Sequence, residues 1–167
     1  MYRLIGLVLL LVACSTVPKT ITVGRYRASD APIYSIAALD TARLVGTWQQ
    51  VAGFGPKGKC SSGQVDIAKT AAGLAVAYQL CLSGVGATGS GAMQPDGRGR
   101  FVVPGQPGPW WVLWADTDYR TLIIGTPSGQ FGFILNRGGV FPADRIAAAR
   151  EILDFNGYDL RQLQLGR

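Results

Sequence analysis

The sequence predicts an all-β chain: an eight-stranded antiparallel up-and-down β-barrel with one C-terminal α-helix packed outside. Three observations carry this. From residue 44 onward, short apolar runs alternate with turn signals. The 167 residues include 23 glycines and 9 prolines, turn chemistry that a helical bundle does not need. Between 143 and 155 the apolar residues fall at helical spacing.

The candidate strands are Leu44–Gly53, Ser61–Lys69, Leu74–Leu82, Gly86–Gln94, Gly99–Pro104, Trp110–Ala115, Thr121–Thr126 and Gln130–Arg137. Each junction carries residues that reverse a chain: Ala72-Gly73, Ser83-Gly84, Pro95-Asp96-Gly97, the run from Pro104 to Pro109, and Pro127-Ser128-Gly129. Short connections between such strands require antiparallel neighbours, and closing the sheet removes its exposed edges. After the eighth strand, Pro142 stands near a helix start. Ile146, Ala149, Ile152 and Leu153 form an apolar stripe, and Gly157 fits a helix end. Asp159–Leu165 is expected to add a short final strand.

Composition excludes several functions. The chain is 48% hydrophobic and 16% charged, as expected of a folded chain. Its net charge of +6 comes from scattered residues such as Arg25 and Arg27, Lys57 and Lys59, and Arg98 and Arg100. No basic stripe suits nucleic acid. Histidine is absent, which removes the commonest general base and metal ligand. A cysteine nucleophile would need Cys60 or Cys81 free beside a base, so we expect no enzyme, no metal and no cofactor.

The N-terminus accounts for the odd cysteine count. Met1-Tyr2-Arg3 precedes ten mostly aliphatic residues, Leu4 to Ala13, and then Cys14. Such a run is too short to span a bilayer but suits the core of an export signal. Leu11-Val12-Ala13-Cys14 resembles the lipobox of bacterial lipoproteins, in which the chain is cut before an acylated cysteine. The resemblance implies a signal peptide over 1–13, a lipidated N-terminus and tether over 14–38, and a domain over 39–167. Ser15 implies delivery to the outer membrane, with the domain on the periplasmic side. Ile33 to Ala38, at the end of the tether, are apolar enough to dock on the domain.

Within the domain, Gly46-Thr47-Trp48 opens the first strand, Thr117-Asp118-Tyr119 precedes the seventh, and Arg137 ends the eighth. These three motifs resemble those of the lipocalin family. Trp111-Val112-Leu113, Asp116, Asp118-Tyr119-Arg120, Gly125, Pro127-Ser128, Ile134-Leu135 and Arg137 are similar to its bacterial outer-membrane lipoprotein branch. The resemblance covers about residues 39–165. Counting alone gives the same grouping: in an up-and-down barrel Gly46, Trp48, Asp118, Tyr119 and Arg137 fall at one end, which we term closed. Residues 54–60, 83–86, 104–109 and 127–129 fall at the other. An indole can plug a barrel end and a guanidinium can stack on it, so this constellation is structural.

Cys60 and Cys81 bracket the second hairpin and approach each other if its turn centres near Thr70-Ala71, so a disulfide is expected near the open end. Tyr78 and Leu80 point inward by alternation, and Phe131, Phe133 and Leu135 share one face. On the sixth strand the resemblance implies that Trp111, Leu113 and Ala115 face in, leaving Trp110, Val112 and Trp114 outside. The expected ligand-binding set is thus Tyr78, Leu80, Trp111, Leu113, Phe131 and Phe133. The small residues of strand four, Gly86 to Ala92, either leave room for a ligand or relieve crowding at a bend. A barrel of this size is also consistent with a packed aromatic core.

The resemblance implies an outer-membrane carrier or scavenger for a fatty acid or lysophospholipid, with Lys57 and Lys59 at the mouth for a headgroup. The alternative is a structural or inhibitory envelope lipoprotein binding a protein partner through the barrel exterior. Its signature would be an exposed aromatic patch around Trp110 and Trp114.

Overall fold

The computed structural model describes residues 25–58 and 60–166. Cys14, the expected signal segment and Lys59 lie outside the described residues. Nine strands follow in order: β1 (Gly46–Phe54), β2 (Gln64–Thr70), β3 (Gly73–Leu82), β4 (Val85–Pro95), β5 (Arg100–Val102), β6 (Trp110–Ala115), β7 (Thr121–Gly125), β8 (Gly132–Asn136) and β9 (Leu163–Leu165). Helix α1 (Ala143–Phe155) lies between β8 and β9. Sequential strands pair antiparallel from β2 to β8, β8 pairs with β1, and β1 returns to β2, so eight strands form a closed barrel. No helix among the described residues is long and apolar enough to cross a membrane.

Closure is uneven along β1. Gly46 to Gln49 pair with Ile67 to Gln64 of β2, and then the two strands part. Beyond that point β9 takes the vacated edge, pairing Leu165, Gln164 and Leu163 with Ala52, Gly53 and Phe54. The Gln50 side chain spans the gap that remains. Its Oε1 accepts from the backbone N–H of Cys81 at 2.8 Å and of Gly63 at 3.3 Å, and its Nε2 donates to the Cys81 carbonyl at 2.8 Å. A side-chain amide thus replaces a missing peptide group in the ladder, which makes a glutamine tolerable at 4% exposure.

Two apolar clusters lie on either side of the wall. Inside the barrel are Trp48, Val65, Ile67, Val76, Tyr78, Leu80, Phe101, Trp110, Val112, Leu122, Ile124, Phe131, Phe133 and Leu135. Outside, Ala149 and Leu153 of α1 pack with Ile123, Ile134, Leu113, Ala52, Phe54 and Tyr158. Strands β7 and β8 are buried along their full length because both faces are covered. The helix ends where Gly157, at φ +80°, turns the chain back and donates to the Asp154 carbonyl.

The inward set expected on β6 is corrected by the structure. Trp110 and Val112 face the interior, whereas Trp111 and Leu113 belong to the outer face. A register shift between Val112 and Trp114 inserts Leu113 as an extra residue, so Trp114 is also outside and Ala115 returns inside. Neither alternating set survives intact. The exposed patch expected around Trp110 and Trp114 is absent as well: Trp110 is 1% exposed and Trp114 is half-buried.

Part of the stretch expected to be a tether also packs on the barrel. Tyr26 is buried against Phe54, with ring centroids 5.6 Å apart. The buried Arg27 donates to the carbonyls of Asn156, Pro127 and Ala31. Ile36 donates its N–H to the Val112 carbonyl at 2.8 Å, using the edge of β6 that the short β5 leaves free.

Tyr158 pins α1 and this segment to the open end. Its hydroxyl accepts from the Thr126 N–H at 2.9 Å and donates to the Phe131 carbonyl at 2.9 Å. Burial pushes its pKa up to about 12. The native state therefore holds the phenolic proton more tightly than the unfolded chain, whose tyrosine titrates near 10. Stability is intact below about pH 10 and falls as pH rises toward 12, by up to about 2–3 kcal/mol. Urea titrations between pH 8 and 12 are expected to show that loss, and Tyr158→Phe to remove its share. An unchanged slope in the variant would assign the loss to other groups.

Candidate functional site

The closed end is built first by local sequence. Asp40 caps a short 3-10 turn, Thr41–Leu44, by accepting from the Ala42 N–H at 3.0 Å. That turn presents the Leu44 carbonyl to Trp48 Nε1 at 2.8 Å, and Trp48 is fully buried. Arg137 lies over the indole, its guanidinium carbon 3.5 Å from the ring centroid. It donates to the carbonyls of Val45, Arg43 and Leu44 at 3.2, 3.1 and 3.1 Å. Gly46, at φ +124°, takes a backbone conformation that a side chain would strain, although a Cβ there would meet Arg137 Nη1 only at an ordinary contact distance of 3.5 Å. Burial first, then the charge of Arg43, lower the Arg137 pKa; its two terminal nitrogens on three carbonyls and the indole beneath keep it seated, while Nε is buried without a partner.

Tyr119 joins this end through its hydroxyl, which accepts from the Asp40 N–H at 2.8 Å, while Arg43 lies 4.3 Å over its ring. Asp118 is placed differently: it is exposed and pairs with Arg120 at 2.9 Å. Asp116, on the same turn, accepts from the Arg120 and Thr121 N–H groups. These contacts hold a turn and a plug.

The open end has a different character. The residues between β5 and β6, 103–109, fold over the barrel interior. Tyr78 donates its hydroxyl to the Pro104 carbonyl at 2.8 Å, and Trp110 Nε1 donates to Gln106 Oε1 at 3.2 Å. Beneath this loop the rings run in sequence, with centroids 5.8 Å apart for Tyr78–Trp110, 5.1 Å for Trp110–Phe133 and 6.0 Å for Phe133–Phe131. Of the expected ligand-binding residues, Tyr78, Leu80, Phe131 and Phe133 meet here, and Trp111 and Leu113 do not. Trp110, Val103 and Gln106 complete the group. Sequence reasoning missed Trp110 because the resemblance implied that the opposite face of the sixth strand points inward.

Strand β4 supplies the space. Gly89 pairs with Tyr78, and a Cβ on it would collide with the Tyr78 ring. A Cβ on Gly91 would reach 2.9 Å from Pro104 Cγ. The small residues therefore receive the Tyr78 ring and the covering loop. Among the described residues, two buried polar atoms near this mouth have no protein partner: Gln106 Nε2 and Thr126 Oγ1. Thr126 is fully buried. Beside the mouth a cleft of about 480 Å³ opens between β1, residues 55–58 and 60–62, and β9, lined by Gln50, Phe54, Lys57, Ser62, Cys81 and Gln164. The Cys60–Cys81 disulfide, with Cα atoms 5.6 Å apart, forms part of its wall. Among the described residues no cluster of acidic or cysteine side chains could hold a metal ion.

A family model for the lipocalin-like domain matches residues 98–166. No curated protein matches the sequence. Solved structures that resemble it include insecticyanin from the tobacco hornworm Manduca sexta, with TM-score 0.60 and 16% identity over 82% of this chain and 85% of that one. Per a 4, a major cockroach allergen, matches at TM-score 0.59 and 13% identity over 83% and 95%. The siderocalin Ex-FABP matches at 0.53 and 16% over 74% and 93%. At these identities the likeness concerns the fold. The closed eight-stranded barrel followed by one packed helix is the lipocalin fold.

Proposed function

We propose that this chain is a lipocalin of the bacterial outer-membrane lipoprotein type, anchored through Cys14, that carries or scavenges a fatty acid or lysophospholipid on the periplasmic side. The observation that carries the reading is the open end. An apolar wall of Tyr78, Leu80, Val103, Trp110, Phe131 and Phe133 lies under a single covering loop. That loop carries an unpartnered buried amide, Gln106 Nε2, and its Gly108 approaches the unpartnered hydroxyl of Thr126. Buried polar groups are ordinarily satisfied, and a carboxylate or phosphate oxygen at the mouth would accept from either. The siderocalin it resembles in fold is described as having dual ligand specificities, in keeping with such a site.

An acyl chain would replace ring-to-ring contact with ring-to-chain contact, so binding requires Tyr78 and residues 103–109 to move aside. Apolar burial at about 25 cal/mol per Å² supplies the affinity, and either polar group orients the headgroup. The barrel-exterior reading loses its expected patch, since Trp110 is inside and Trp114 is half-buried.

Native mass spectrometry of the purified protein, titrated with fatty acids and lysophospholipids, tests this directly. Saturable one-to-one binding with a change in tryptophan fluorescence is expected, because Trp110 lines the site. A folded protein that binds none of the panel would establish the aromatic interior as permanent filling and redirect the search to protein partners.

A further inference from the structure

Where the described chain begins, how charge is distributed between the two barrel ends, and where apolar side chains are exposed all bear on the same question: which end meets the membrane. The described chain starts at Arg25, and the next residue is fixed at the open end. Tyr26 donates its N–H to the Gly129 carbonyl of the β7–β8 loop at 2.7 Å and is buried on Phe54. Cys14 precedes Arg25 by eleven residues, which span at most about 40 Å when fully extended. An anchor at Cys14 therefore pulls on the open rim, from beside its β7–β8 loop.

The two ends differ in charge. The open-end loops, 55–63, 83–84, 103–109 and 126–131, contain no aspartate or glutamate and carry Lys57 and Lys59. Arg25 is exposed beside them. On the adjoining segments Asp159 is held by Arg161 at 2.8 and 2.9 Å, and Asp30 and Asp154 are exposed. The closed end mixes both signs, Asp40, Asp96, Asp116 and Asp118 with Arg43, Lys69, Arg98, Arg100, Arg120 and Arg137, whereas the positive charge of the open-end loops meets no carboxylate within them. Exposed apolar groups follow the same bias. Val85, at the start of β4 on the open rim, is 68% exposed, and Phe155 and Tyr34 form an exposed pair where α1 ends near that rim. Val140, beside the closed end, is the exception.

We propose that the open end of the barrel docks on a lipid bilayer surface bearing anionic headgroups, with Lys57 and Arg25 at the headgroups and Val85 at the interface. The argument from chain length rests on acylation at Cys14; the argument from charge and exposed apolar side chains does not. Each basic residue held near an anionic surface strengthens attachment roughly fivefold. The mouth then opens onto the headgroup layer, and a single-chain lipid passes between bilayer and barrel without crossing bulk water.

Single cysteines on the full chain, labelled with an environment-sensitive fluorophore after the native disulfide has formed, test the orientation. Val85→Cys and Ser128→Cys report the open rim, and Val140→Cys and Asp118→Cys the closed end. The protein is reconstituted in phosphatidylethanolamine–phosphatidylglycerol vesicles containing a spin-labelled quencher lipid. Severalfold stronger quenching at both rim positions than at both closed-end positions is expected, with Lys57→Glu weakening it. Equal or reversed quenching overturns the orientation even if mass spectrometry shows Cys14 acylated. If Cys14 is not acylated, the chain is added to preformed vesicles: rim quenching then sustains the docking face while the anchor fails, and no quenching anywhere overturns the docking.

Discussion

Trp48→Ala is expected to cost about 3–5 kcal/mol, the largest loss from any single substitution at the closed end. The indole is fully buried, bonds the Leu44 carbonyl through Nε1 and supports the Arg137 guanidinium on its face. Removing it leaves a void that the surrounding β-ladders cannot close by collapse, because Trp48 pairs rigidly with Val65 on the neighbouring strand. Arg137 keeps its three carbonyl partners but loses the ring beneath it. Trp48→Phe keeps most of the apolar area and loses the Nε1 hydrogen bond, so about 1–2 kcal/mol is expected. Urea midpoints of the two variants check this, and a loss under 1 kcal/mol for Trp48→Ala would show that the plug is not what holds the end.

That end was legible in the sequence because its signals are local and its topology follows from counting strands. The helix bounds, 143–155, and the bounds of β6 were also legible, since turn chemistry marks both limits. The side chains of β6 were not. In Trp110-Trp111-Val112-Leu113-Trp114-Ala115 every residue is apolar, because one face meets the barrel interior and the other meets the outer cluster. Alternation cannot be read when both faces are dry, and a one-residue bulge then reverses the parity unseen. β1 shows the same limit: across the shift between Gln50 and Ala52, Trp48 faces inward but Ala52 and Phe54 face outward.

The packed half of the expected tether was hidden for another reason. Arg27 reads as a solvated charge, yet it is 7% exposed because backbone carbonyls at the end of α1 and in the β7–β8 loop accept its donors. Carbonyl partners carry no sequence signature. The role of strand β4 was half legible. Its small residues are read from sequence as room for a ligand or relief at a bend, but what fills the space is Tyr78 of the adjacent strand and Pro104 of the covering loop, a pairing that only the register reveals.

The disulfide shows how register and function meet at the open end, and its removal is the second large effect expected. Cys60→Ser/Cys81→Ser should lose about 3 kcal/mol, the loop-closure entropy for a sequence separation of 21. The hairpin turn lies at Ala71-Ala72, one residue later than expected, since Thr70 pairs with Gly73. Cys60 reaches Cys81 because the chain has already left β1 before β2 begins at Gln64, so the bond ties an otherwise unladdered segment to β3. Gln50 ties the same segment through Gly63 and Cys81. Gln50→Leu strands three backbone groups and should cost about 1–3 kcal/mol with the disulfide intact. Without the disulfide the segment can lift away, water can satisfy those groups, and the same substitution should cost less. A double-mutant cycle in urea is therefore expected to give a coupling of at least about 0.5 kcal/mol. Strict additivity would mean that the two clamps act on separate structures, and that the cleft beside the mouth is not closed by one shared seam.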